Sequence, residues 1–145
     1  MINIRNNWKL EEVLELFNKP FNELLFEAHD AHIKNHKKDM VQVCTLLSIK
    51  TGGCPEDCGY CSQSIHSDEP IEATPLMSLE EVKSQATLAR DQGSTRFCMG
   101  AAWRRPSNKN IDRVIKMIDV VHELGMESCV TLGMLSEDQA VRLSK

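Results

Sequence analysis

The sequence predicts an α/β fold built on consecutive parallel strands, and three observations predict it. Runs rich in Val, Ile, Leu and Thr recur along the chain as "MVQVCTLLSIK", "STRFCMGAAW" and "MESCVTLG". Each run is followed by a stretch of helical periodicity with its own start signal. The order is therefore β-α-β-α-β-α behind a helical preface, and strands joined by helical crossovers lie parallel.

The preface contains two expected helices. "WKLEEVLELFN" places Leu10, Val13, Leu14 and Phe17 on one face. Pro20 interrupts the pattern and can open the next helix, "PFNELLFEAHDAHIKNH", with Phe21, Leu24, Leu25 and Ala28 as its apolar stripe. His29, His32 and His36 recur at spacings of three and four, which reads as a polar helix face. The basic run from Lys34 to Lys38 reads as a solvated helix end.

"MVQVCTLLSIK" is read as a buried strand that runs into a Gly52-Gly53-Cys54 turn. "SLEEVKSQATLARDQG" is a helix with a capping box of Ser78 and Glu81 and a terminating Gly93. The next strand, "STRFCMGAAW", leads to "NIDRVIKMIDVVHELG", where Ile111, Val114, Ile115, Ile118 and Val121 should face inward and Gly125 ends the helix. A third strand, "MESCVTLG", leads to "SEDQAVRLSK", a helix capped by Ser136 with Gln139. Met99, Met117, Met126 and Met134 are expected to pack, and Cys44 is expected in the core. Residues 1–40 read as a helical extension and 41–145 as a single α/β unit.

With 145 residues, 41% hydrophobic and 26% charged, the chain reads as soluble and globular. Its net charge of −4 argues against nucleic acid or anionic lipid as a partner. The start, "MINIRNNWKLEE", has no apolar leader, and no run approaches a membrane span. A cytoplasmic location follows as an expectation, and there six cysteines suggest metal or redox chemistry rather than disulfides.

Three of those cysteines, Cys54, Cys58 and Cys61, stand in "GGCPEDCGYCSQS" with the spacing C-x3-C-x2-C. They fall at the end of the first strand, where α/β folds place active sites. Gly52, Gly53 and Gly59 let the backbone bend around a bulky group. Three thiolates on an iron–sulfur cubane leave one iron open for a substrate or cosubstrate. A Cys3His zinc site using His66 is the competing reading, but structural zinc sites separate two ligand pairs by a longer loop. Cys98 and Cys129 stand one βα unit apart on neighbouring strands. By spacing alone they read as two small buried hydrophobes.

The C-x3-C-x2-C spacing with an aromatic, Tyr60, before the last cysteine resembles the radical S-adenosylmethionine signature. The longer blocks "TLLSIKTGGCPEDCGYCSQS", "GSTRFCMGAAWRRP" and "MESCVTLGMLSEDQA" resemble the biotin synthases, and the likeness runs over residues 8–145. It implies the N-terminal part of a TIM-type (β/α) barrel, about three βα units after two helices. It also implies that Cys54, Cys58 and Cys61 bind a [4Fe-4S] cluster whose fourth iron takes S-adenosylmethionine, with the Tyr60 backbone near the adenine. By the same likeness Cys98 and Cys129 are two ligands of a sulfur-donating [2Fe-2S] cluster. The implied reaction is sulfur insertion into dethiobiotin, started by a 5'-deoxyadenosyl radical, with a flavodoxin or ferredoxin as electron donor and a homodimer as the full-length state.

Trp103, Arg104 and Arg105 are candidates to line the substrate cavity. A third cysteine and an arginine of the second cluster, and an asparagine-rich strand for S-adenosylmethionine and dethiobiotin, are implied beyond Lys145. The chain is therefore expected to be a truncated form, inactive alone. Another radical S-adenosylmethionine enzyme, a non-catalytic iron–sulfur module and a zinc-binding interaction domain are the alternatives.

Overall fold

A computed structural model describes residues 5–144. Met1 to Ile4 of the start, and Lys145 at the end of the last expected helix, lie outside the described residues. The chain divides into two units, Met1–Val41 and Gln42–Lys145.

The first unit holds α1 (Leu10–Phe17) and α2 (Phe21–Asn35). Glu12 accepts the Lys9 backbone N–H at 2.9 Å and the Arg5 guanidinium at 2.9 Å, which ties down the first turn of α1. Pro20 does separate the helices. It occupies the N-cap, one position before the helix, and its carbonyl accepts the N–H groups of Glu23 and Leu24. Neither helix contains a buried residue. The His32 and His36 rings stack with centroids 5.4 Å apart.

In the second unit, β1 (Cys44–Lys50), β2 (Arg96–Ala101) and β3 (Glu127–Thr131) form one sheet in the order β1-β2-β3. Both pairings are parallel. The crossovers are α3 (Leu79–Asp91) and α4 (Asn108–Glu123), and α5 (Glu137–Leu143) follows β3. Ser78 and Glu81 form the expected capping box, as do Ser136 and Gln139. The ladder starts at Cys44 rather than Met40. Its register partner there is Arg96, and just before it the Val43 carbonyl accepts the N–H groups of Thr95 and Arg96 at the turn closing α3.

Successive strand residues point to opposite faces. Ile49, Phe97 and Met99 point toward α3 and α4 and join Val82, Ala86, Ile111, Val114, Met117 and Val121 in a fully buried core. The opposite face carries Cys44, Leu46 and Ser48, all exposed, so β1 is buried on one face and not on both as expected. Among the described residues of this unit no element covers that second face.

Two further expectations need correction. Along α4 the buried residues are Ile111, Val114, Met117, Val120 and Val121. Ile115 and Ile118 do pack against the core, but only half-buried, at the flank that borders the groove beside Leu143 of α5. Met134 is exposed rather than packed, since its N–H is held by the Arg104 carbonyl at 2.8 Å in a surface turn.

Candidate functional site

The loop after β1 is built by two glycines and a clip. Gly52 and Gly53 both adopt φ near +65°, at 65° and 63°, in the left-handed region. A Cβ on Gly52 would stand 2.6 Å from the Ile71 carbonyl oxygen, so only glycine lets the returning chain pass. The Lys50 ammonium donates to the carbonyls of Gly52 and Ala102, joining the turn to the end of β2. Gln63 accepts the Gly52 N–H at 3.0 Å through its side chain, and its carbonyl accepts the Cys54 N–H at 3.0 Å.

The three cysteines stand on this braced loop at the C-terminal end of β1. The Cys61 N–H donates to the Cys58 carbonyl at 2.9 Å, and the Ile65 N–H to the Cys54 carbonyl at 2.9 Å. Cys54 and Cys61 are half-buried and Cys58 is exposed. All six cysteines are free thiols. An open cavity of about 560 Å3 is lined by Asp57, Cys58, Tyr60, Cys61, His66 and Glu69, among others. Tyr60 is 96% exposed, so its backbone rather than its ring is fixed by the loop.

Among the described residues, no three His, Cys, Asp or Glu side chains gather closely enough to hold one metal ion. A single zinc on Cys54, Cys58, Cys61 and His66 therefore finds no ready site. A cubane takes each thiolate on a different iron, so its ligands stand further apart than those of one ion. Three free thiols spread along one braced loop beside an open cavity suit that group.

On the sheet face away from the helices, Cys98 and Cys129 are direct register partners on β2 and β3. Spacing alone read them as two small buried hydrophobes, which their exposure does not bear out. The structure sets them side by side, half-buried and exposed respectively. Cys44, expected in the core, is exposed on the same face, and its Sγ lies 3.3 Å from that of Cys98. It starts β1 on the parity that points away from the helices, which places it beside Cys98. Burial, and then hydrogen bonding to the Cys44 and Cys129 thiols, pushes the Cys98 thiol up to about 12.

Arg96 shares this face and pairs with Glu127 at 2.5 Å. The hydrogen bond to Glu127 raises the Arg96 pKa, and the neighbouring Cys129 and Cys44 act in the same direction. Its Nε is buried with no hydrogen-bond partner. Between the two thiol groups lies a cavity of about 150 Å3 lined by Leu46, Ser48, Gln63, Gly100, Ala101 and Thr131.

The other candidates divide. Arg104 turns to the cysteine loop and pairs with Glu56 at 2.6 Å, and Arg105 is exposed. Trp103 packs against the core. Sequence reasoning missed Lys50 and Gln63 as braces, and no local signal marks either as such. It also missed Cys44, whose strand parity relative to Cys98 could have revealed it.

No protein-family model matches the chain. Curated relatives do. A biotin synthase from Novosphingobium aromaticivorans is 55% identical over 141 residues, which is 97% of this chain and 40% of that protein. One from Thioalkalivibrio sulfidiphilus is 54% identical over 143 residues, 99% of this chain and 42% of that protein. One from Ruthia magnifica subsp. Calyptogena magnifica is 53% identical over all 145 residues and 45% of that protein. The chain thus spans less than half the length of these relatives, in keeping with an N-terminal portion, and it resembles the biotin synthases from end to end.

Proposed function

We propose that the chain supplies the cluster-binding part of a biotin synthase, a radical S-adenosylmethionine enzyme that inserts sulfur into dethiobiotin. One observation carries this: three free thiols stand on a braced loop at the C-terminal end of a parallel strand, and two more stand in register on the adjoining strands. The identity to the relatives supports it. The three strands would be the first of a (β/α) barrel, with residues 1–40 as a helical extension and the protein in the cytoplasm.

In this reading Cys54, Cys58 and Cys61 would hold a [4Fe-4S] cluster through their three thiolates. Bound there, the cluster would supply the electron for cleavage of the S-adenosylmethionine sulfonium. The protein positions what the cluster binds. Lys50 and Gln63 fix the Gly52-Gly53 turn, which sets the height of Cys54 above the sheet. The Tyr60 backbone, on the cavity wall, would orient the adenine. Cys98 and Cys129 would hold a [2Fe-2S] cluster as the sulfur source. Dethiobiotin would lie between them, over Leu46, Ser48, Gly100 and Thr131, where a closed barrel would keep water from the reacting carbons. A flavodoxin or ferredoxin as donor and a homodimeric assembly complete the proposal.

A second reading has its own support. The thiol-bearing face is uncovered among the described residues, which suits an iron–sulfur module that binds but does not turn over.

A chimera tests the two. Residues 8–145 of this chain replace the matching part of the Novosphingobium relative, and biotin is measured from dethiobiotin, S-adenosylmethionine and a reductant. Biotin formation that Cys54→Ala abolishes is the expected result. A folded, iron-loaded chimera that yields only 5'-deoxyadenosine would exclude the biotin synthase reading, and one that yields neither product would favour the binding module.

A further inference from the structure

We propose that Cys44 is a site of reversible oxidation: when no iron holds Cys98, the two thiols join as a disulfide between β1 and β2. The ligands of the second cluster stay as read above, with Cys44 outside the set. The proposal rests on that reading only for its consequence, that the disulfide withholds Cys98 from iron.

The Cys44 and Cys98 sulfurs are 3.3 Å apart, and both thiols are free. A disulfide bond is about 2.05 Å long, so the pair must close by roughly 1.2 Å. The two residues lie 54 apart in sequence, so the fold brings them together. Cys98 pairs in register with Leu46, two residues along β1 from Cys44. The link would therefore run diagonally between strands that the ladder already joins. The other contact of the Cys44 Sγ, with the Thr45 carbonyl, is long at 3.9 Å. Access divides the roles: Cys44 is exposed and meets a dissolved oxidant first, and the half-buried Cys98 stands behind it as the resolving thiol.

The oxidant is a peroxide. Its O–O bond breaks as the Cys44 sulfur takes one oxygen to become a sulfenic acid, and one water leaves. The Cys98 sulfur then attacks the Cys44 sulfur, the S–O bond breaks and a second water leaves. In sum two thiols give up two hydrogens and two electrons, and one peroxide becomes two waters. Metal is bound by the thiolate, so the linked chain cannot take iron at Cys98. A dithiol reductant restores both thiols by exchange. With iron on Cys98 there is no free thiol to resolve Cys44, so the link marks the cluster-free chain.

The test treats the metal-free 145-residue chain with a small excess of hydrogen peroxide, blocks the remaining thiols with iodoacetamide and maps the links by mass spectrometry. A Cys44–Cys98 link, with Cys129 alkylated and both linked thiols recovered by dithiothreitol, is the expected result. A Cys98–Cys129 link in its place, or an over-oxidised Cys44 with Cys98 still alkylated, overturns the inference. In concentrated urea the link should give way to links within Cys54, Cys58 and Cys61, which are neighbours in sequence. An equal Cys44–Cys98 yield there would show that the fold does not make the pair, and overturns it too.

The chimera with the Novosphingobium relative reads the consequence, with Cys54, Cys58 and Cys61 changed to Ser so that their loop takes no iron. After peroxide, iron and sulfide uptake without added thiol should be lost, and dithiothreitol should restore it. Cys44→Ser, a near-isosteric change, should take up iron like its parent before peroxide and keep that uptake afterwards. Equal loss in Cys44→Ser overturns the role given to Cys44. A mapped Cys44–Cys98 link with uptake unchanged supports the disulfide and overturns the reading of Cys98 as a ligand.

Discussion

Gly52 shows how one residue governs the cysteine loop. Its φ of +65° and the 2.6 Å approach that a Cβ would make to the Ile71 carbonyl both exclude a side chain. Gly52→Ala should destabilise the unit by about 1–3 kcal/mol through strain in the turn. It should also lower iron uptake at Cys54, with thermal unfolding and iron analysis as the two readouts. Lys50→Met is expected to loosen the same turn from the other side, since it removes both carbonyl contacts at once. The cysteine spacing in the sequence announced the loop, because three thiols so close together leave few other uses. The braces were not legible. Lysine and glutamine are common surface residues, and only the folded path of Gly52 shows what they hold. Cys44 was misplaced for a related reason: an apolar neighbourhood in sequence does not say which face of a strand is covered.

Among the elements, the helices were the most legible, because their ends carry chemistry. In α3 the Ser78 hydroxyl accepts the Glu81 N–H at 3.2 Å, and the Glu81 carboxylate accepts the Ser78 N–H at 2.7 Å. That backbone donor, and then the Ser78 hydroxyl, holds the Glu81 pKa below its ordinary 4.5. Glu127 is lowered too, first by Arg96 and then by Gln42. The folded state therefore prefers these groups ionised. Their contribution is present above pH 4.5 and is lost as pH falls through the lower folded values. Chemical denaturation between pH 6 and pH 3 (roughly the carboxylate range) should show falling stability, and the fall should be shallower in Glu81→Gln. Ser78→Ala should cost about 1 kcal/mol at neutral pH.

Strand extent was less legible than helix extent. Pairing sets where a ladder begins, and nothing in "MVQV" reveals that β2 starts only at Arg96. Phe97 is fully buried near the start of β2. Phe97→Ala should cost about 3–5 kcal/mol by leaving a cavity against α3 and α4, as measured by urea denaturation.

For the whole molecule, the sheet defines what the described residues can do alone. β1 and β3 each have one edge without a strand partner among them, and Leu46 on the open face is 73% exposed. Open edges and uncovered apolar positions favour self-association, and each Å2 left in water forgoes roughly 25 cal/mol. We expect the 145-residue chain by itself to associate on size-exclusion chromatography and to form no biotin, because three strands cannot enclose a substrate. Biotin made by a soluble monomer of this length would show that the open face is sufficient. The alternation of strand and helix was readable from the periodicity. What covers the second face was not, because strand patterns record that a side chain turns outward and not what it meets there.

The central claim is that Cys54, Cys58 and Cys61 together hold a four-iron cluster, and anaerobic reconstitution tests it most directly. The chain is loaded with iron and sulfide, and both are quantified for the wild type and for Cys54→Ala, Cys58→Ala and Cys61→Ala. With Cys98 and Cys129 changed to Ser throughout, so that only the loop is counted, the account predicts about four irons and four sulfides per chain. It predicts loss of that cluster in each of the three variants. A loop that takes up zinc in preference with no sulfide, or that keeps its full iron after any one of those cysteines is removed, would contradict it.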